Sequence, residues 1–220
     1  MGKIGFNEII EELQNIINEI KKTSSVNFNE FAYISATNKS ESYLRDRLAI
    51  VLQRKYPDVI ISREYLHKDS LLEDTNERYD IAVLEKNNNS EFQPTLIVEL
   101  KNWYCHDIPS KKIWNALISD ELRVDVLSEK LGRSIDVIHI INFTHITNLK
   151  DDLHNGIIKY QSFINDDIKK GKKKYPFDID KYFDKCIINT DRHYKRLNSE
   201  LGKYHLREII NYLYVIEKKN

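Results

Sequence analysis

Residues 79–103 read YDIAVLE (79–85), KNNNSEFQP (86–94) and TLIVELKNW (95–103). Two short runs rich in β-formers, split by an Asn/Ser segment, predict two strands joined by a hairpin loop centred near Ser90. Strand side chains alternate between faces, so Glu99 and Lys101 project together while Leu96, Val98 and Leu100 point the other way. Antiparallel pairing sets Asp80 opposite residue 99, 100 or 101. A partner at 99 or 101 gathers all three charges on one face. A partner at 100 separates them, and the residues leave that register open.

Two carboxylates and an ammonium at the end of a buried hairpin are costly without a partner. A hard divalent cation answers that need, because Mg²⁺ takes a few carboxylate oxygens and otherwise waters and substrate phosphates. The competing reading is a strand with one solvent-facing side, where Glu and Lys at i and i+2 are ordinary.

Working outward, Ser40 caps a helix running to about Lys55, with Leu44, Leu48, Val51 and Leu52 as its buried stripe. Glu41 falls on that inward stripe, about 20° from Leu48 at the helical periodicity. Two readings of Glu41 stand: a carboxylate aimed at the hairpin, or a first-turn acid favoured by the helix dipole and paired with Arg45. Asp46 is rotated to the surface. Pro57 ends the helix and Val59 to Tyr65 reads as a strand. After Lys101, a helix opens at Pro109 and Ser110, holds its face with Ile113, Leu117, Val124, Leu127 and Leu131, and closes at Gly132. Residues 135–143 (IDVIHIINF) are apolar almost throughout, as in a strand covered on both sides, which makes His139 a satisfied core residue. The strand–helix–strand step over 95–143 suits a right-handed crossover.

Asp80 followed by Glu99-Leu100-Lys101, on helix, three strands, helix, strand, resembles the PD-(D/E)xK nuclease superfamily, which includes many restriction endonucleases. The resemblance covers about residues 40–143, and Arg78-Tyr79-Asp80 lacks the proline that names the family. It implies a metal-dependent endonuclease that hydrolyses DNA phosphodiester bonds, of restriction or phage-defence type. It also implies Mg²⁺ (Mn²⁺ as a substitute) held by Asp80, Glu99 and the Leu100 carbonyl. Lys101 would orient the attacking water, and Glu41 would stand where the family's first core helix supplies an acid. Cutting both strands implies two active sites, hence a homodimer. The rival readings are a repair, recombination or RNA nuclease, a non-catalytic nucleic-acid-binding protein on the same fold, and an interaction protein whose polar hairpin face is surface.

The remaining segments complete the expected architecture. Phe6, Ile9, Ile10, Leu13, Ile16, Ile17 and Ile20 define an amphipathic helix over 4–20 that either covers the sheet or meets a partner subunit. Residues 23–40 read as polar and turn-rich, anchored by Phe28, Phe31 and Tyr33. Beyond 148, helices are expected over 149–168 and on Leu206, Ile209, Ile210, Leu213 and Ile216. The fold expectation is therefore α/β: a restriction-endonuclease-like αβββαβ core with a mixed central sheet flanked by helices, an N-terminal helix, and a mostly helical C-terminal extension. The boundary falls between 1–148 and 149–220.

Charge and composition set the outer limits. The 220 residues carry no formal net charge, yet residues 1–100 hold 12 Lys/Arg against 17 Asp/Glu and residues 101–220 hold 22 against 17. That asymmetry suits a phosphate-bearing partner meeting the second half. Lys172, Lys173 and Lys174, with Lys169 and Lys170, form a run that either lies along a phosphate backbone or is a solvated surface. Two cysteines, Cys105 and Cys186, make a zinc site or disulfide framework a poor expectation, and a reducing cytoplasm follows. No apolar run reaches membrane-spanning length, and the acid-containing N-terminus does not read as a signal. Six glycines leave dinucleotide and P-loop readings without support.

Overall fold

The central hairpin forms as its pattern predicts: β2 (Tyr79–Lys86) and β3 (Phe92–Tyr104) pair antiparallel around a turn at Asn87–Glu91, with Ser90 in the left-handed region. The computed structural model of the chain describes residues 3–67, 78–104, 111–146, 192–197, 200–204 and 207–218, together with residues 181 and 190. Before the hairpin come α1 (Phe6–Thr23), α2 (Glu30–Thr37), α3 (Glu41–Lys55) and β1 (Ile60–Tyr65). After it come α4 (Lys111–Leu131), β4 (Asp136–Ile146), β5 (Arg192–Arg196), β6 (Glu200–Tyr204) and β7 (Arg207–Lys218).

Among the described residues the sheet has seven strands in the order β1-β2-β3-β4-β7-β5, with β6 also paired to β7. Its pairings are antiparallel except β3 with β4, which run parallel because α4 carries the chain back between them. The expected helix–three strands–helix–strand order is thus observed over residues 41–146.

Alternation along β3, β4 and β7 sorts the side chains between two layers. One face packs Val98, Leu100, Ile138, Ile140, Leu213 and Val215 against the apolar stripes of α1 and α3. The N-terminal helix therefore covers the sheet, and its buried Glu12 is paired with Lys55 of α3 at 2.5 Å. The other face packs Ile97, Val137, Ile141, Phe143, Tyr214 and Ile216 against Ile113, Leu117, Val124 and Leu127 of α4. Gly132 ends α4 at φ +61°, the left-handed C-cap its position predicts.

Two expectations need correction. Residues 23–40 contain a helix, α2, capped by Asn29, whose side chain accepts from the Ala32 amide at 2.8 Å. It lies so close to β6 that a Cβ on Gly202 would come within 2.7 Å of the Ala32 Cβ. The expected terminal helix is instead a strand, β7, inserted between β4 and the β5/β6 edge. Apolar residues at 209, 210, 213 and 216 match a helical stripe. But a strand buried on both faces is apolar at nearly every position, so helical spacings occur in it by necessity. The Ile, Tyr and Val content of 209–216 is the β-forming composition that decides the matter. The described elements of the C-terminal extension, β5, β6 and β7, are accordingly strands. The expected helix over 149–168 and the lysine run lie outside the described residues.

Candidate active site

β3 runs on past the start of β2, and that offset creates the site. The register Ile81↔Val98 sets Asp80 across from residue 99, the arrangement that gathers the charges on one face. Past it, the β3 edge has no strand partner among the described residues, so its amides need other acceptors. Two carboxylates supply them. Leu100 N–H donates to Asp80 Oδ2 at 2.8 Å, and Asn102 N–H donates to Glu41 Oε1 at 2.7 Å. A strand residue presents its N–H and C=O on the same edge, so the Leu100 carbonyl also faces this side.

Glu41 reaches β3 because the start of α3 is pinned there. Ser40 leaves its usual capping role and donates to Asn102 Oδ1 at 2.7 Å. Asn142 Nδ2 lies 2.9 Å from Ser40 Oγ and 2.8 Å from Asn102 Oδ1, and Thr144 and Asn211 extend this buried polar ladder across β4 and β7. Arg45 pairs with Asp46 and Glu64, not Glu41, and lies 3.8 Å from Asp80 Oδ1. Asp46 is partly exposed and also paired with Arg63.

Glu41, Arg78, Asp80, Glu99, Leu100, Lys101, Ser119, Asp120 and Arg123 line one open cleft of about 410 Å³. The sequence-derived candidates Glu41, Asp80, Glu99, Leu100 and Lys101 are therefore brought together. Lys172, Lys173 and Lys174 fall outside the described residues. Helix α4 contributes the members that the sequence reading passed over. Asp120 and Glu121 interrupt its inward apolar stripe between Leu117 and Val124, and both are buried. Acids at inward helical positions were the available signal.

The charges interlock. Lys101 Nζ is 3.4 Å from Glu99 Oε2 and 2.8 Å from Asp120 Oδ2. Arg123 Nη2 donates to Asp120 Oδ1 at 2.8 Å and to Glu99 Oε1 at 3.2 Å. Burial pushes the Glu99 carboxyl up to about 8; Lys101 and Arg123 oppose the shift, and the charges of Asp120 and Asp80 add to it. Burial works against the Lys101 ammonium, but Glu99 and Asp120 overcome it and raise its pKa. Behind this layer, burial would raise Glu121, but His139 and the bidentate Arg192 bring it down to about 2. His139 occupies the core, as expected, yet its ring nitrogens stand 4.0 Å from Asp120 and 3.6 Å from Glu121. Neither makes a hydrogen bond among the described residues.

No group of three or more His, Cys, Asp or Glu side chains arranged to hold a metal occurs among the described residues. Mg²⁺ asks for less, since it keeps several waters and binds through one or two carboxylates. Glu99 is the observation that bears on the fit. Its carboxylate is buried beside two further acids, at a cost that a divalent cation between it and Asp80 would offset. The donor set fits a hard cation. Compared with known protein families, curated proteins and solved structures, the chain matches none.

Proposed function

We propose that this protein is a metal-dependent endonuclease that hydrolyses phosphodiester bonds of DNA, of restriction or phage-defence type, on a PD-(D/E)xK-like core. The observation that carries the reading is the convergence of Glu41, Asp80, Glu99, Leu100 and Lys101 on one cleft at the open edge of β3. These residues come from three separate elements, and the edge amides that Asp80 and Glu41 satisfy do not account for Glu99 and Lys101 beside them. Asp80 and Glu99, with the Leu100 carbonyl, would hold Mg²⁺. When bound, the ion supplies charge neutralisation at the phosphate and a bound water of lowered pKa.

The chain's own groups do the remainder. Lys101 presents an ammonium on the same face as Glu99, where it offsets developing negative charge and orients the attacking water. Arg123 and Arg78 add positive charge to the cleft wall, which suits a phosphate backbone. Glu41 fixes the β3 edge through Asn102 and adds a fourth acid. A duplex cut on both strands needs two such clefts, so a homodimer is the expected active form.

The test is cleavage of duplex DNA with Mg²⁺ by the wild-type chain, Asp80→Ala and Lys101→Ala. Wild-type cleavage abolished by chelation, with both variants inactive, is the expected result. Equal cleavage by all three proteins removes the proposal.

A further inference from the structure

Lys101 has two acidic neighbours, and the nearer one is not the residue beside it in the strand. Its ammonium is 2.8 Å from Asp120 Oδ2 but 3.4 Å from Glu99 Oε2. Glu99 and Lys101 stand two residues apart on one strand face, and Lys101 still donates to Glu99 Oε2 at that length. Asp120 comes from the opposite wall and is itself held: Arg123, one turn along α4, takes Oδ1 at 2.8 Å and leaves Oδ2 to the ammonium. Asp120 is buried on a helix face whose other members, Leu117 and Val124, pack onto the sheet, so its reach is set by α4.

We propose that Asp120 is a positioning residue: its closer ion pair holds the Lys101 ammonium to a long 3.4 Å hydrogen bond with Glu99 Oε2, a contact that a divalent cation can displace while the ammonium stays in the cleft. This rests on the nuclease reading for what the cation does, but not for whether it binds. Neutralising Asp120 lets Lys101 fall back on Glu99, where a fixed internal cation competes with the metal. The effect on metal binding therefore runs through Lys101 and disappears when Lys101 is removed. A plain loss of negative charge near the site would weaken metal binding whether or not Lys101 is present.

The experiment is a double-mutant cycle on the full chain, read by calorimetric titration with Ca²⁺ alone and, separately, by Mg²⁺-dependent cleavage. Asp120→Asn is expected to weaken Ca²⁺ binding about 10- to 100-fold, the usual consequence of losing a group that orients a metal ligand. Asp120→Asn in a Lys101→Ala background is expected to leave Ca²⁺ affinity close to that of Lys101→Ala alone. Asp120→Glu, which keeps the charge, is expected to recover part of the loss, although a purely structural role would make the larger side chain the worse of the two. Equal weakening by Asp120→Asn in both backgrounds, or none in either, overturns the proposal. Should Asp120→Asn fail to fold, Asp120→Ser takes its place with the same outcomes. Ca²⁺ coupling as expected without any DNA cleavage by the wild type sinks the nuclease reading and leaves the Asp120 assignment standing. Cleavage lost in Lys101→Ala without Ca²⁺ coupling does the reverse.

Discussion

The Leu100 amide donates to Asp80 Oδ2 at 2.8 Å, so the carboxylate on which cleavage would depend is also the acceptor that closes the open edge of β3. The two roles separate by substitution. Asp80→Asn keeps an acceptor oxygen and removes the charge; Asp80→Ala removes both. Both variants are expected to lose cleavage by orders of magnitude. Only the Ala variant should also lose about 1–3 kcal/mol of stability, from the unsatisfied amide. Urea unfolding of the two variants beside the wild type reads the difference, and equal stabilities would show that the amide finds another partner.

Glu41 makes the same kind of contact one step further along, with Asn102 N–H at 2.7 Å. The first-turn dipole alone does not account for it, because its carboxylate leaves Arg45 to other acids and crosses to β3. Glu41→Gln preserves the acceptor and is expected to fold with near wild-type stability while cleaving at least tenfold more slowly, the scale expected for an electrostatic contribution to the site. Full cleavage by this variant would make Glu41 a brace and nothing more.

Glu99 sets a pH dependence of stability in the metal-free protein. Its folded pKa, about 8, lies above its ordinary value of 4.5, so the folded chain retains this proton where the unfolded chain has lost it. The resulting stabilisation is whole below pH 4.5, declines above it and is gone once the pH passes 8. Against Glu99→Gln, the wild type should lose on the order of a few kcal/mol between pH 5 and 9. Denaturant midpoints at several pH values measure it. Parallel profiles for the two proteins would mean that Lys101 and Arg123 already compensate the charge in full.

How far the sequence carries depends on how many structures a pattern permits. Two β-forming runs split by an Asn/Ser segment in 79–103 predict a hairpin, and Glu99 with Lys101 at i and i+2 fixes their shared face. Register was open until Ile81↔Val98 placed Asp80 beside Glu99. Glu41 was legible as an inward acid, but not its target, since Asn102 lies 61 residues away. Asp120 was readable in principle as an acid on an apolar stripe. What it touches depends on how α4 crosses the sheet, which no local pattern states. The misread strand at 207–218 has the same origin: burial on two faces erases the alternation that identifies a strand.

The lysines at 172–174 are DNA-binding candidates on sequence grounds alone, beside the arginines of the cleft wall. If they lie along a backbone, neutralising all three should weaken duplex binding most at low salt. The slope of log K against log salt should also fall by up to about 3, one phosphate contact for each lysine. Binding measured at several salt concentrations decides it. An unchanged slope assigns the run to a solvated surface and leaves the Arg78, Lys101 and Arg123 wall as the phosphate contact.

Strand β7 gives the last prediction, because it makes the expected C-terminal extension part of the central sheet. It pairs with β4 from Ile138↔Glu217 to Ile146↔Ile209 and carries β5 and β6 on its other edge. Tyr214 and Ile216 pack with Ile113 and Leu117 of α4, while Leu213 and Val215 pack with α1 and α3. Truncation before residue 190 would expose an edge of β4 and both of those apolar layers. A fragment ending there is expected to be aggregation-prone and to lack a cooperative unfolding transition, although it retains every candidate site residue. Circular dichroism and thermal melting of the fragment test this. A soluble, cooperatively folding fragment would show that β1 to β4 with α1, α3 and α4 suffice, and that β7 merely completes a sheet already stable without it.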